Sequence, residues 1–311
     1  MMCPVRHAGI LTAPPTLQVP AYHFAQDSPS LSKIKMAAST LSAMKTKPKC
    51  IFFTDFDGTI TLKDSNDYMT DNLGFGAQKR REGNIEILEH RATFRDAFKD
   101  MLDSIKDYSF NECKQILIDN IKLDPYFKDF YQWALASNVP VVVLSSGMVP
   151  IIRGLLTHLV GPEADKIEII SNFVEARDKS QLNDPEEKWL DVKGGWEIRY
   201  HDDSDFGHDK SLAIRPYANL PASERPILFY AGDGVSDLSA ARETDLLFAK
   251  KGHDLVTYCE RENVPFTIFE DWKSILETTK EIYEGKTSVK KVAAAGVQDY
   301  KEGGNDIKTT K

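Results

Sequence analysis

Cys50-Ile51-Phe52-Phe53-Thr54-Asp55-Phe56-Asp57-Gly58-Thr59 is the stretch on which the reading of this chain turns. An apolar run leads straight into two aspartates two positions apart, and a Gly-Thr pair then turns the chain. Short apolar runs bounded by turn residues read as buried strands, so Asp55 is expected at the carboxyl end of one. Ligands bind at that end in open α/β sheets. Two carboxylates gathered there cost solvation free energy unless a cation or a proton offsets them.

Three more stretches put reactive residues at the end of a strand or the start of a helix. Val141-Val142-Val143-Leu144 runs into Ser145-Ser146-Gly147. Lys210 opens a helical pattern after Gly207-His208-Asp209. Phe229-Tyr230-Ala231 runs into Gly232-Asp233-Gly234-Val235-Ser236-Asp237. In this order the four stretches resemble the four motifs of the haloacid dehalogenase superfamily of phosphatases. The resemblance extends from about Lys49 to Gly285. It implies an α/β fold: a doubly wound, Rossmann-like parallel sheet forming the haloacid dehalogenase core, with an inserted small helical cap.

The resemblance also assigns roles. Asp55 would attack phosphorus and form an aspartyl-phosphate. Asp57 would protonate the departing alkoxide and later take a proton from water. An alcohol leaving group needs that proton, so the second aspartate favours a phosphoric monoester hydrolase over an ion-pump ATPase. Lys210 would supply fixed positive charge, and Ser145, Ser146 and Gly147 would bind phosphate, with Ser145 the better candidate of the two serines. Mg2+ would be the cofactor, held by the Asp55 and Asp233 carboxylates and the Asp57 carbonyl, with Asp237 on its waters. Each residue has a plain rival reading. Asp57-Gly58 is a common turn pair, Asp237 suits a helix N-terminus, and Lys210 alone is an ordinary solvated helix lysine. His208 reads as structural.

The rest of the chain organises around these motifs. Ser65 to Leu73 reads as a short helix stopped by Gly74. Phe94, Phe98, Met101, Leu102 and Ile105 fall at helical spacing. Ser109-x-x-Glu112 is a capping-box pattern, and Asp124-Pro125 opens a further helix with Phe127, Phe130 and Ala134. So much helix exceeds what a crossover needs. Residues 64–137 are therefore expected to form a cap over a core made of 49–63 and 138–284. Beyond Ser145, strands are expected near 167–170, 196–200, 227–231, 246–249 and 266–269, with helices between them. Residues 1–48 are acid-poor and rich in hydroxyl side chains. They read as a disordered leader, a mitochondrial transit segment or the product of an upstream start. The lysine- and glycine-rich stretch 285–311 reads as a disordered tail.

Composition bounds the function. The 311 residues are 41% apolar and 28% charged, as in a globular protein. A net charge of −8 argues against nucleic acid as a partner. No apolar run is long enough to span a membrane. Cys3, Cys50, Cys113 and Cys259 are scattered, which suits free thiols in a reducing, cytoplasmic setting.

Substrate choice is expected to lie with the cap. Thr93-Phe94-Arg95 is similar to the Ser-Leu-Arg of phosphoserine phosphatases, in which the arginine meets a carboxylate. Asp64 stands where those enzymes carry a glutamate for the substrate amine. The shorter acid, with Asn66 and Asp67, also suits hydroxyl groups. The wording of the motifs is most similar to a fungal branch of the phosphoserine-phosphatase-like subgroup. That branch is associated with polyol phosphates such as ribitol 5-phosphate and sorbitol 6-phosphate. The expected partner is thus a small phosphorylated metabolite. Phosphoserine, a methionine-salvage enol-phosphate and a non-catalytic phosphatase-like binding protein stand as alternatives.

Overall fold

The computed structural model describes residues 41–302. From β1 (Cys50–Thr54) the chain enters a helical run. It contains α1 (Ser65–Leu73), α2 (Ala77–Leu88), α3 (Phe94–Asp103), α4 (Phe110–Asn120) and α5 (Phe127–Ala136). Strand and helix then alternate: β2 (Val141–Met148), α6 (Val149–Val160), β3 (Glu168–Ala176), β4 (Trp196–Arg199), α7 (Lys210–Ala218) and β5 (Ile227–Gly232). The short helix α8 (Leu238–Ala241), β6 (Leu246–Lys250), α9 (Asp254–Glu262), β7 (Thr267–Phe269), α10 (Trp272–Tyr283) and α11 (Val289–Glu302) complete the order.

The strands form one seven-stranded sheet in the order β4-β3-β2-β1-β5-β6-β7. All neighbours are parallel except β3 and β4, which pair antiparallel with Phe173 opposite Arg199. This is the doubly wound sheet expected from the sequence. β1 lies between β2 and β5, where the order reverses, so the ends of these three strands share one crevice. The strands read as apolar on both faces because both faces are covered. Alternation sends Phe52, Phe229 and Phe248 to one face and Ile51, Phe53, Leu228 and Tyr230 to the other.

Aromatic packing fixes the first face. The Phe52 ring lies 4.8 Å from Phe130, and Trp272 lies 4.7 Å from both Phe127 and Phe130. Here α5 differs from expectation. The sequence reading places residues 127–136 in the cap, but α5 packs on the sheet beside α10. Its Phe127, Phe130, Tyr131 and Ala134 recur every three or four residues and make a face that only the sheet can bury.

Both expected disordered ends also differ where they are described. Ala43 and Met44 are buried in the second-face cluster, and Asn138 Nδ2 donates to the Thr46 carbonyl at 3.2 Å. The basic run hid two apolar anchors. At the other end α11 turns Val289, Val292 and Ala293 onto the core. Gly296 lets it approach β7, since a Cβ there would lie 2.6 Å from Thr267 Cα. The rest of the expected leader, residues 1–40, and of the expected tail, 303–311, lies outside the described residues. No helix among the described residues is long and apolar enough to cross a membrane.

Trp272 ties this packing to the Asp57-Gly58-Thr59 turn, because its Nε1 donates to the Thr59 carbonyl at 2.8 Å. Trp272→Ala is expected to lower unfolding free energy by roughly 3–5 kcal/mol. Trp272→Phe keeps most of the volume but leaves that carbonyl unpaired, at about 1–3 kcal/mol. Urea unfolding followed by circular dichroism reads both losses; equal midpoints for wild type and Trp272→Ala would contradict them.

Candidate functional site

Asp55 follows β1 directly, and its amide extends the sheet by donating to the Ala231 carbonyl at 2.8 Å. The chain then turns sharply at Gly58, whose φ is +74°. A Cβ there would be strained and would collide with the Asp233 carboxylate. The turn is tied down by Gly58 N–H donating to Thr61 Oγ1 at 3.1 Å and by Lys250 Nζ donating to the Gly58 carbonyl at 2.6 Å.

Beyond the turn, Asp57 meets the N-terminus of α1. Its Oδ1 accepts from the Ser65 amide at 2.8 Å and its Oδ2 from Asn66 Nδ2 at 2.9 Å. A carboxylate is favoured there by the orphan N–H groups and the helix dipole. Asp64 caps the same helix, its Oδ1 accepting from the amides of Asn66 and Asp67 at 2.7 and 2.9 Å. Burial pushes the Asp57 carboxyl up to about 8, Asp64 adds to the rise and the Ser65 contact works against it.

Lys210 is the first residue of α7, which Asp209 caps through the Ser211 amide at 3.0 Å. Its side chain is 0% exposed. Nζ donates to Asp55 Oδ1 at 2.8 Å and to Asp237 Oδ1 at 2.6 Å. Burial opposes the ammonium charge, but Asp237 and Asp55 outweigh it and hold the Lys210 pKa above its ordinary value. Tyr230 hydroxyl also donates to Asp237 Oδ1, at 2.5 Å, while Asp237 Oδ2 accepts from the amides of Asp233 and Gly234, both at 3.0 Å. Asp237 therefore receives four donors, about as many as a carboxylate has lone pairs. A Cβ on Gly232 would lie 2.5 Å from its Cγ, so the glycine makes room for it. Burial also raises the Asp55 carboxyl well above the usual range. Lys210 partly offsets that rise, while Asp237 and Asp233 add to it.

Carboxylate oxygens of Asp55, Asp233 and Asp237 lie within 4.8 Å of one another. Hard oxygen atoms gathered this closely would suit a small divalent cation, provided their lone pairs are free. Asp55 and Asp233 have the freer oxygens. Asp237, expected on the metal's waters, spends its lone pairs on Lys210, Tyr230 and the loop amides instead.

Both serines of the pair line the same cavity. Ser145 Oγ accepts from the Gly147 amide at 3.0 Å, which leaves its O–H free to donate. Ser146 Oγ is buried and has no hydrogen-bond partner among the described residues. A Cβ at Gly147 would lie 3.1 Å from Asp57 Oδ2, so only glycine passes comfortably. His208 supports this strand end. Its Nδ1 lies 2.9 Å from the Ser145 carbonyl, which makes Nδ1 the protonated nitrogen of the neutral ring.

A cavity of about 230 Å³ opens onto these groups. Asp55, Asp57, Ser145, Ser146, Gly147 and Asp233, from the strand ends, line it. Asp64, Asn66, Asp67 and Asn84 make one wall, and Ile87, Phe94, Phe98 and Met101 make another. Arg95, expected to meet substrate, is not among the lining residues. Phe94, Phe98 and Met101 occupy the inward face of α3, so the next position points elsewhere. The Arg95 guanidinium donates to the Asp202 carbonyl at 2.7 Å and stacks 4.3 Å from the Tyr200 ring centre. It fastens α3 to the 200–207 loop. Tyr230 and Lys250 were missed as site residues, because neither carries a motif signal of its own, and Asn66, expected to meet substrate hydroxyls, also holds Asp57.

Residues 52–242 match the family model described as haloacid dehalogenase-like hydrolase. The chain is 51% identical over 248 residues to "Polyol phosphate phosphatase PYP1" of Saccharomyces cerevisiae, covering 78% of this chain and 97% of that protein. It is 48% identical over 241 residues to "Pdp3-interacting factor 1" of Schizosaccharomyces pombe, covering 77% and 99% respectively. A substrate-bound phosphoserine phosphatase superposes with a TM-score of 0.52 at 14% identity, over 74% of this chain and 98% of that one.

His208 gives the site a pH-sensitive support. Burial lowers its pKa to about 4, and Lys210 and His201 push in the same direction, while the Ser145 carbonyl and Asp202 oppose it. The unfolded chain binds a proton near pH 6.5 that the folded chain refuses until about 4. The stabilisation is complete above that window and falls with pH inside it, by about 1.4 kcal/mol per pH unit. His208→Asn, which keeps a donor for the Ser145 carbonyl, is expected to flatten the fall. Urea midpoints between pH 4 and 7 check this; parallel curves for the two proteins would refute it.

Proposed function

The chain belongs to the haloacid dehalogenase-like hydrolase family, and from that premise we propose a magnesium-dependent phosphatase of small phosphorylated metabolites, polyol and sugar phosphates first. Its relation to a named phosphatase at 51% identity makes it a phosphoric monoester hydrolase. One observation carries the mechanistic reading: Asp55, bridged by buried Lys210 to Asp237, stands beside Asp57 and Asp233 at the floor of a small-molecule cavity.

In the proposed reaction the Asp55 oxygen not bonded to Lys210 attacks phosphorus, and the ester P–O bond breaks. Asp57 gives its proton to the departing alkoxide. Asp57 then takes a proton from the water that attacks the aspartyl-phosphate, which frees phosphate and restores Asp55. The partners of the two acids suit these roles. Asp55 faces a fixed ammonium that favours its anion, whereas Asp57 accepts only from neutral donors. Lys210, which the cavity does not reach, offsets charge through its bond to Asp55, and Ser145 and Ser146 stand on the lining where the phosphoryl oxygens are proposed to lie. Magnesium held by the Asp55 and Asp233 carboxylates and the Asp57 carbonyl would supply further neutralisation of phosphate charge.

We assign helices α1–α4 to a cap that closes over the core. Among the described residues no lysine or arginine lines the cavity to meet a second anion such as the carboxylate of phosphoserine. A wall of Asp64, Asn66, Asp67 and Asn84 offers acceptors and amides to hydroxyl groups instead. Both features favour a neutral polyol.

Phosphate release from ribitol, sorbitol and erythritol phosphates, glycerol 3-phosphate and phosphoserine, with magnesium and with chelator, tests the reading. Magnesium-dependent turnover of the polyol esters ahead of phosphoserine is expected. Asp55→Asn should lower it by about 10³-fold or more. Asp57→Asn should slow polyol esters by roughly 10²–10⁴-fold. The same variant should give one rapid equivalent of p-nitrophenolate from p-nitrophenyl phosphate, whose leaving group needs no proton, and then stall. Full activity in chelator or in Asp55→Asn would overturn the mechanism.

A further inference from the structure

We propose that Met101 is a specificity-determining residue: its side chain is the partition that bounds the leaving-group side of the catalytic cavity and limits how bulky an ester the site accepts. The proposal rests on the phosphatase reading above and adds to it what sets the size of the leaving group.

A second cleft, of about 360 Å³, lies between α2 and α3. Phe75, Ala92, Ala97 and Met101 give it apolar surface, and Met101 also lines the catalytic cavity of about 230 Å³. The phase of α3 explains how one residue serves both. Phe94 and Phe98 line the catalytic cavity, whereas Asp96, Ala97 and Asp100 line the cleft. Residues three and four apart stack on one helix face. Met101 stands three positions after Phe98 and four after Ala97, so it falls on the edge between the two faces. At 8% exposure it is a buried side chain that both spaces nonetheless reach. The barrier between them is there no thicker than one side chain. Asn84 of α2 also borders both spaces, but it is exposed and marks their shared rim.

Nothing fills the cleft from the α2 side. Lys79, Gly83 and Glu86 share the α2 face that lines it. A Cβ on Gly83 would meet nothing within 4 Å. Glycine weakens a helix interior, and no close approach requires it here, so its effect is to leave the space empty. In the proposed reaction the phosphoryl group meets the strand-end residues, which turns the leaving group toward the cap helices. A leaving group that outgrows the cavity on the α3 side meets Met101, with empty space behind it. Overfilling a closed wall is costly, and the cost falls away where the wall is removed. The apolar surface of the cleft suits an alkyl chain.

1-O-Methylglycerol 3-phosphate and 1-O-hexylglycerol 3-phosphate form the matched pair, because they share the phosphoester and differ only in chain length at the far end. With magnesium, the full-length protein is expected to prefer the methyl ether by at least about 10-fold in kcat/KM. Met101→Ala opens the partition and should bring the ratio close to one. Met101→Val, a smaller truncation, serves where the alanine variant does not fold. Gly83→Leu, added to either, refills the cleft and should restore the preference. General loosening of the core would slow both esters alike and would not be reversed from α2, so a merely structural role leaves the ratio untouched. Where turnover is too slow to read, inhibition constants against p-nitrophenyl phosphate give the same ratio. A wild-type ratio near one overturns the proposal, as does a ratio that the Met101 variants leave unchanged or that Gly83→Leu fails to restore. Wild-type protein that hydrolyses neither these ethers nor p-nitrophenyl phosphate overturns the phosphatase reading beneath it, and the proposal with it.

Discussion

An ammonium sealed from water between two carboxylates is the constraint on which this structure depends. Lys210 has no exposed surface, and an unpaired charge in such a place would be costly by several kcal/mol. Asp55 and Asp237 relieve that cost only where they stand, 2.8 and 2.6 Å away. Three elements that are remote in sequence are therefore fixed to one another: the end of β1, the start of α7 and the loop after β5. Such a network adds little net stability, because desolvation consumes most of the attraction. Its contribution is position, and the residue it positions is the one assigned the attack on phosphorus.

The same economy of space runs through the glycines around it. At Gly58 a side chain would strike Asp233, at Gly147 it would crowd Asp57, and at Gly232 it would strike Asp237. Carboxylates repel one another and do not pack this closely by preference. The backbone has been stripped of Cβ atoms where the acids need the room, and Lys210 offsets part of the remaining repulsion. Packing on the far side keeps the turn from relaxing, since Trp272 holds the Thr59 carbonyl and Lys250 holds that of Gly58.

Much of this was legible in the sequence because it is local. An apolar run followed by Asp-x-Asp-Gly-Thr specifies both a strand and what stands at its end, and repetition of that form at Ser145 and Asp233 specifies neighbouring strands. What was not legible depends on phase and on partners. Arg95 looked like a ligand residue until the phase of α3 turned Phe94, Phe98 and Met101 inward and left the guanidinium to Tyr200 and Asp202. Ser145 was ranked above Ser146 from its place in the motif, and what only the structure adds is that the Gly147 amide holds its oxygen in place. The boundary of the helical insertion was misjudged for a related reason. An apolar face on α5 says that something covers it, and only the tertiary structure says that the cover is the sheet. The Val289–Ala293 stripe at the far end was masked by the lysines around it.

Asn66 is a partner-dependent case of another kind: the sequence offered it to substrate hydroxyls, and the structure spends its NH2 group on Asp57. Asp57 needed a donor, and the first turn after the Asp64 cap was the nearest place to supply one. A side-chain amide there does what the helix N–H groups alone cannot. It pins Asp57 Oδ2 from the side at 2.9 Å, while the Ser65 amide holds Oδ1 from the helix end at 2.8 Å. An acid held at both oxygens has little freedom to turn away from the ester oxygen it is proposed to protonate. Such fixing lowers the cost of reaching the transition state by position alone.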